Sequence, residues 1–377
     1  MEILAIAGEP SGDTHGGALI QGLKSRMPNL VVRGVGGPQM VAAGLDPLIP
    51  FSSLQVHGLV EVLRHLPRLY RILWAIEKQL DTLKPDAVLL IDYPGFNLKV
   101  ARAAKARGIP VFFYSSPQIW AWRGGRIRTI AKTVDWMIVL FPFEVEIYQK
   151  AGVKAVFLGH PLVGAGADAS QISALKSRLG LTSDKPVVGL LPGSRTSELN
   201  RHLDILLAAV ARLEAQGMDA HVVLPLAAGL EATLVEQRIK AAGVGVKVAP
   251  GGFFPLLAVA DLAIVASGTA TLQVGLAAIP FVVIYRVSPL TFWLARRLVH
   301  IRHVSMVNIL AGREIVPELL QHDFTPQKVA DAFLALAQNP AAQKTMRQAL
   351  ERVAQSLGTP GAYGRAAEFI AQKLNRG

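Results

Sequence analysis

Short apolar runs bounded by glycine, proline and aspartate alternate with helix-spaced stretches from the first residues onward. EILAIAG, LVVRGVGG, DAVLLID, PVFFYSS and DWMIVLF read as strands, and AVFLGHP holds a further one. Between them, GALIQGLKSRM and LKVARAAKARG carry helical spacing. Runs this rich in Val, Ile and Leu leave no polar face, which suits parallel strands covered by helices on both sides. The alternation predicts a doubly wound α/β domain. Around residues 161–185 the pattern gives way to small and polar residues, PLVGAGADASQISALKSRLGLTSDK, a linker with a leading helix. A second series then follows: PVVGLLPG, AHVVLPL, VKVAP, LAIVASG and PFVVIYR. The predicted domains are residues 1–165 and 166–354, with the last stretch helical in composition and broken by LGTPGAYG. Two such units facing each other would place a ligand cleft outside the carboxyl ends of their strands.

A length of 377 residues agrees with two cores rather than one. Hydrophobic residues make up 51% of the chain, yet no run of about 18 uncharged apolar residues occurs, so a membrane-spanning helix is not expected. The opening MEILAIAGEPSGD has an acid at Glu2 and no basic leader region, and reads as a buried first strand rather than a signal peptide. The chain has no cysteine, which excludes disulfides, thiolate metal sites and a cysteine nucleophile together. The nine histidines are scattered, and the nearest pair, His300 and His303, sits among arginines, so no metal site is expected.

The formal net charge of +12 favours an anionic partner: nucleic acid, anionic lipid or a phosphorylated substrate. Its distribution is local. From Leu262 through Arg313 there is no Asp or Glu, while Arg286, Arg296, Arg297, Arg302 and Arg313 fall inside.

Three loops follow predicted strands and open predicted helices, where free backbone N–H groups and the helix dipole attract anions. The first is AGEPSGDTHGG, in which four glycines permit close approach of a ligand and Ser11, Gly12 and Asp13 form the turn. It is neither GxGxxG nor a Walker loop, so it implies neither NAD nor ATP. In the second, LPGSRTSEL, Gly193 turns the chain and Ser194 and Arg195 stand at a helix mouth. Arg195 offers a planar fork for phosphoryl oxygens, although Glu198 could equally pair with it and make both structural. In the third, VASGTATLQVG, Ser267, Gly268 and Thr269 follow the strand LAIVA directly. Any one of these reads as well as a plain capped turn; three across two domains point to phosphate. Asp92, after DAVLLI, should emerge at a strand's carboxyl end, where it can serve as a base or cap the next helix.

AGEPSGD, GVGGPQM, GLVEVL, IDYPGFN, SPQIWAWR, LFPFE, LGHP, LLPGSR and ASGTATL, with the segment from YR to PELLQ, resemble the lipid-A-disaccharide synthase family. They occur in the family's order and span nearly the whole chain. The resemblance implies a GT-B glycosyltransferase fold, two Rossmann-like domains across a cleft, with the helix at about 355–377 packing back on the first domain. It implies transfer of a 2,3-diacylglucosamine from a UDP-sugar donor to the 6-hydroxyl of an acylated sugar phosphate acceptor. No cofactor is needed, and the work is done at the cytoplasmic face of the bacterial inner membrane. On the same basis Arg286 and Asn308 are expected at the donor site. Gln273 stands where the family usually has Glu, holding ribose hydroxyls without charge-assisted bonds. His57 and Val307 stand where methionine and proline are common.

Within that scheme Asp92 is the expected base, with Asp13 as runner-up. Arg195 with Gly193, Ser194, Ser267, Gly268 and Thr269 would hold the leaving diphosphate, and Glu198, Gln273, Arg286 and Asn308 complete the expected donor site. Trp120 and Trp122 read either as core aromatics or as sugar platforms.

Two segments have the apolar, aromatic and basic mixture of a helix lying in a membrane interface. In Leu59–Leu80 the expected contacts are Leu63, Arg64, Leu66, Arg68 and Leu69, with Pro67 breaking the helix in two. In Pro289–His303 they are Trp293, Arg296 and Arg297. Both patterns fit amphipathic core helices as well. A related GT-B transferase, or a UDP-sugar epimerase, fits less well because of SPQIWAWR and these helices. A nucleic-acid binder is not expected, since no RNA-type aromatic platform, zinc site or helix-turn-helix signature occurs. The sequence leaves a homo-oligomer open.

Overall fold

The structure, a computed structural model, describes residues 1–54, 59–122, 124–298 and 301–375, and among these not the side chains of 59–66, 290, 294–296 and 298. The expected contacts Leu63, Arg64, Leu66 and Arg296, and the departure at His57, therefore lie outside the described residues. The chain divides into two compact units, residues 1–163 with 357–377 and residues 164–356.

The first unit holds strands β1 (Glu2–Ala7), β2 (Val31–Val35), β3 (Leu45–Pro47), β4 (Ala87–Ile91), β5 (Val111–Tyr114), β6 (Trp136–Val139) and β7 (Ala155–Phe157). All pair in parallel, in the order β3-β2-β1-β4-β5-β6-β7. Both faces are buried. Ile3, Ala5 and Ala7 of β1 enter one apolar cluster while Leu4 and Ile6 enter another, and β4 divides its residues in the same way. The continuous apolar runs arise from this two-sided burial.

One cluster contains Ala366, Ala367, Ile370 and Ala371 of the helix Ala362–Leu374, which packs on the helix Pro10–Arg26. The contact is close: a Cβ at Gly22 would lie 2.9 Å from that of Ala367. On the other face, the helix Leu59–Leu83 presents Ile72, Ile76 and Leu80 to the core, with Leu69 and Leu73 packed beside them. Two expectations change here. The helix runs unbroken through Pro67, and Leu69 faces the core because it shares the i, i+3, i+4 stripe of those residues.

The second unit holds β8 (Val187–Leu191), β9 (His221–Leu226), β10 (Val246–Pro250), β11 (Leu262–Ala266), β12 (Phe281–Tyr285) and β13 (Glu318–Leu320). They are parallel in the order β10-β9-β8-β11-β12-β13. Strands β3 and β13 have no counterpart in the predicted set. Each is a three-residue edge strand, LDP and ELL, in which an acid interrupts the apolar run that marks the equally short β7.

In each sheet the strand order reverses once, between β1 and β4 and between β8 and β11. Loops leaving those strands diverge and leave a crevice at the carboxyl ends. Among the described residues no helix is long and apolar enough to cross a membrane.

The returning C-terminal segment is tied down by two histidines, His160 buried and His15 half-buried. His15 Nδ1 lies 2.7 Å from the Tyr363 hydroxyl. His160 stacks on Phe141, and its backbone N–H donates to the Leu357 carbonyl at 3.0 Å. Burial holds both rings down to about 4, with His15 adding to the effect on His160. Between pH 6.5 and about 4 the unfolded chain therefore binds protons that the folded chain refuses, so stability falls as pH falls through that window. We expect urea unfolding at pH 7, 5.5 and 4.5 to show this loss, and the pair His15→Gln with His160→Gln to flatten it. An unaltered pH slope in that double variant would assign the acid sensitivity elsewhere.

Candidate active site

The first crevice gathers Gly8 and Glu9 after β1 and Asp92 and Tyr93 after β4. Asp92 and Tyr93 both adopt left-handed backbone, each with φ +49°. For a tyrosine this conformation is strained, on the order of 1–3 kcal/mol. Three contacts hold it. The Asp92 N–H donates to the Tyr114 carbonyl at 2.9 Å, and the Asn97 amide donates to the Asp92 carbonyl at 2.7 Å. The Tyr93 hydroxyl donates to the Leu54 carbonyl at 3.0 Å. The Tyr93 ring also lies over Gly8, where a Cβ would meet it at 2.4 Å.

The turn thus aims a half-buried carboxylate at the end of the sheet. Burial pushes the Asp92 carboxyl up to about 6, the negative charge of Glu9 adds to this, and the Tyr93 N–H opposes it. Glu9 was not singled out from the sequence, although AGEPSGD contains it. Reading that loop for phosphate drew notice to its glycines and Asp13 instead.

Ser11, Gly12 and Asp13 belong to the first turn of the helix Pro10–Arg26, whose N-cap is Glu9. Proline is favoured at the first helical position, which starts the helix earlier than the polar residues suggest. Asp13 is buried, and its two carboxylate oxygens accept the Gln39 and Met40 N–H groups, each at 3.0 Å. Those bonds fasten the turn after β2 and occupy the runner-up base.

SPQIWAWR follows β5, beside Asp92 in the sheet order. Trp120 is half-buried, donating its indole N–H to Glu144 at 3.0 Å and packing edge-on to Phe143. Glu144 is 1% exposed, and burial pushes its carboxyl up to about 7 against the Trp120 hydrogen bond. Trp122 is exposed, with the Arg126 guanidinium 5.7 Å from its ring centre.

In the second unit a cavity of about 390 Å³ opens at the carboxyl ends of β8 and β11. It is lined by Gly193, Ser194, Arg195, Glu198, Ser267, Gly268, Thr269 and Gln273, together with Pro225, Leu226, Ala227, Phe253 and Tyr285. The second group was not singled out from the sequence, because nothing local distinguishes these residues from other strand-end apolar ones.

The two loops of this cavity differ. In the turn before the helix Thr196–Ala215, Glu198 accepts the Ser194 and Arg195 N–H groups at 3.1 and 3.3 Å and pairs with the Arg195 guanidinium at 3.1 Å. Gly193 has φ +120°, and a Cβ there would lie 2.5 Å from the Glu198 carboxylate. Glu198 thus occupies the Ser194 N–H nominated for phosphate, together with that of Arg195. The Arg195 side chain remains 77% exposed, with donors left for a ligand. The helix Thr269–Leu276 starts from Gly268 (φ +149°) without a side-chain cap; the Thr271 N–H donates to the Gly268 carbonyl at 3.1 Å, which leaves those of Thr269 and Ala270, both lining the cavity, without a side-chain partner. Ser267 donates its hydroxyl to the Val304 carbonyl at 3.1 Å.

Arg286 and Asn308 are not among the lining residues. The Arg286 guanidinium donates to the carbonyls of Gln321 and Phe324. Asn308 is fully buried, bonded through its amide to Ile315, Val316 and Glu318. Glu318 also receives the Val304 and Ser305 N–H groups, so this network holds the segment that Ser267 touches. Among the described residues no cluster of three or more acids and histidines could hold a metal ion.

The sequence matches the lipid-A-disaccharide synthetase family over residues 3–373. It is 40% identical over 375 residues to the lipid-A-disaccharide synthase of Myxococcus xanthus (strain DK1622), covering 100% of this chain and 98% of that one. Among solved structures it resembles a UDP-GlcNAc 2-epimerase from Neisseria meningitidis bound to UDP-GlcNAc, with TM-score 0.65, 14% identity and full coverage of both chains. It also resembles CalG4, the calicheamicin glycosyltransferase, with TM-score 0.63, 18% identity and coverage of 100% and 98%. At such identities the structural matches show the fold, which is of GT-B type. The matched family covers almost all of the chain, and the chain accordingly belongs to the lipid-A-disaccharide synthase family, glycosyltransferases of lipid A biosynthesis.

Proposed function

We propose that the chain joins UDP-2,3-diacylglucosamine to 2,3-diacylglucosamine 1-phosphate with inversion, giving the β-1,6 tetraacyl disaccharide 1-phosphate and UDP. The observation that carries this reading is the cavity at the reversal of the second sheet, where an uncapped helix start and an exposed arginine meet. That chemistry fits a diphosphate: open N–H groups and helix dipole on one side, a guanidinium fork on the other. Pro225, Leu226, Ala227 and Phe253 supply the apolar part a base and sugar need. Gln273 lines the same cavity and offers the ribose an uncharged donor and acceptor. Arg286 and Asn308 act here by holding the backbone behind these loops.

In the displacement, the acceptor 6-hydroxyl oxygen bonds to C1 of the donor sugar as the bond from C1 to the UDP oxygen breaks. Asp92 takes the hydroxyl proton. Its raised carboxyl suits that task, since a base that ionises near the working pH transfers protons effectively. Arg195 and the helix start at Thr269 stabilise the departing diphosphate, a contribution commonly on the order of 10²–10³ in rate.

The acyl chains require an interface, and we place it on exposed aromatic–basic surfaces. On the helix Leu59–Leu83 the outward face carries Arg68, Tyr70, Arg71, Trp74 and Lys78, with Trp74 66% exposed. Lys99 lies 4.1 Å from the Tyr70 ring centre. In the second unit Trp293 is 50% exposed under the Arg297 guanidinium, 3.9 Å from its ring centre. Such pairs suit the headgroup layer of an anionic membrane, here the cytoplasmic face of the inner membrane.

Asp92→Asn is expected to lower kcat by about 10² or more. It should melt no lower than the parent at pH 8, because the raised Asp92 carboxyl costs stability progressively from about 3.8 to about 6 and in full above that. In the parent, kcat/KM should rise with pH through about 6. Undiminished turnover with both acylated substrates would move the base to another residue. Binding to phosphatidylglycerol vesicles should fall with salt, and should weaken further in Arg68→Gln with Trp74→Ala and in Arg297→Gln with Trp293→Ala. Equal sedimentation of parent and variants at low and high salt would exclude these surfaces.

A further inference from the structure

Helix Thr196–Ala215 sends a second side chain under the cavity besides Glu198. One turn further on, at i+4, His202 is fully buried. Its Nδ1 lies 2.6 Å from the Pro192 carbonyl, which can only accept, so Nδ1 carries the proton. Nε2 lies 3.1 Å from both N and O of Arg286, within hydrogen-bond reach of its N–H. The ring also contacts those of Tyr285 and Phe324, with centroids 5.7 and 5.5 Å away.

Pro192 follows β8 and Arg286 follows β12, and these strands are not neighbours: β11 lies between them. A single imidazole therefore bridges across the strand that delivers Ser267 and Gly268. On one side of the bridge stands the turn carrying Gly193, Ser194 and Arg195; on the other stands Tyr285, and all four line the cavity. Glu198 fixes the N–H side of the turn and His202 fixes its carbonyl side, so one helix face clamps the turn from two directions. Without His202 the Pro192 carbonyl would lose its buried donor, and the loop's position relative to β12 would depend on packing alone.

We propose that His202 is a positioning residue for the donor site, setting the gap between the Pro192–Arg195 turn and the β12 end to the width of a nucleoside diphosphate. This rests on the reading of the cavity as a UDP-sugar site. His202 touches no substrate; it acts through the Pro192 carbonyl and the Arg286 N–H. The benefit is pre-organisation, since a turn already held in place loses less freedom when the diphosphate arrives.

The test compares His202→Phe with His202→Gln, using UDP as the calorimetric probe and both acylated substrates for kinetics. Phenylalanine preserves the ring packing and deletes both hydrogen bonds, whereas glutamine restores an amide donor and acceptor. His202→Phe should weaken UDP binding and raise the donor KM about tenfold, with the acceptor KM unchanged, and His202→Gln should recover most of the loss. If the Phe variant does not fold, His202→Asn makes the same comparison with an amide too short to bridge both strand ends. UDP binding within twofold of the parent in the unbridged variant would overturn the proposal, as would donor and acceptor KM rising together. A parent that fails to bind UDP would instead refute the reading of the cavity itself, so the two failures are distinct.

Discussion

Both faces of each parallel sheet are committed to burial, and this constraint decides where any chemistry can occur. Side chains along β1 and β4 divide between two apolar clusters, and the runs of β8 and β11 are buried throughout. A polar group placed mid-strand would be desolvated without a partner. Function is confined to the strand ends, and the reversal of strand order selects the ends where loops diverge. Asp92 and Glu9 flank one reversal; the turns at Gly193 and Gly268 flank the other.

The same constraint explains what the sequence disclosed. Fully buried parallel strands leave uninterrupted apolar runs, so nearly all the central strands were legible, as were the turns that follow them. The edge strands β3 and β13 were not, because an acid in each breaks the apolar run that made the equally short β7 legible. Outward orientation was harder still. On the helix Leu59–Leu83 the apolar stripe faces the core, and the exposed aromatics Tyr70 and Trp74 lie on the face that the stripe leaves to solvent.

Around the cavity, local pattern identified which residues gather but not what each one holds. Gly193, Ser194, Arg195, Ser267, Gly268 and Thr269 all line it, since each follows from a strand end and a turn; Gln273, which lines it too, was expected only from the family resemblance. The division of labour among them depends on contacts remote in sequence. Asn308 meets Glu318 and Val316, and Arg286 meets Gln321 and Phe324. Tyr285 and Phe253 enter from other strands and helices, which no spacing rule could foresee.

Those contacts also separate two ways of offering a site to an anion. At the Gly193 turn the protein's own carboxylate already fills the N–H groups, so the loop is rigid before any ligand arrives and presents a side-chain cation instead. At the Gly268 turn no side chain caps the helix, and the N–H groups of Thr269 and Ala270 are left at the cavity. On the proposed reading, the two phosphoryl groups of a diphosphate would be met by different means: a pre-filled turn bearing a guanidinium, and a helix start without a side-chain cap beside it. Two unfilled helix starts would each seek water or a partner, and the turns would shift with what they found. Filling one of them with Glu198, and anchoring its carbonyl through His202, gives the second turn a fixed wall to work against.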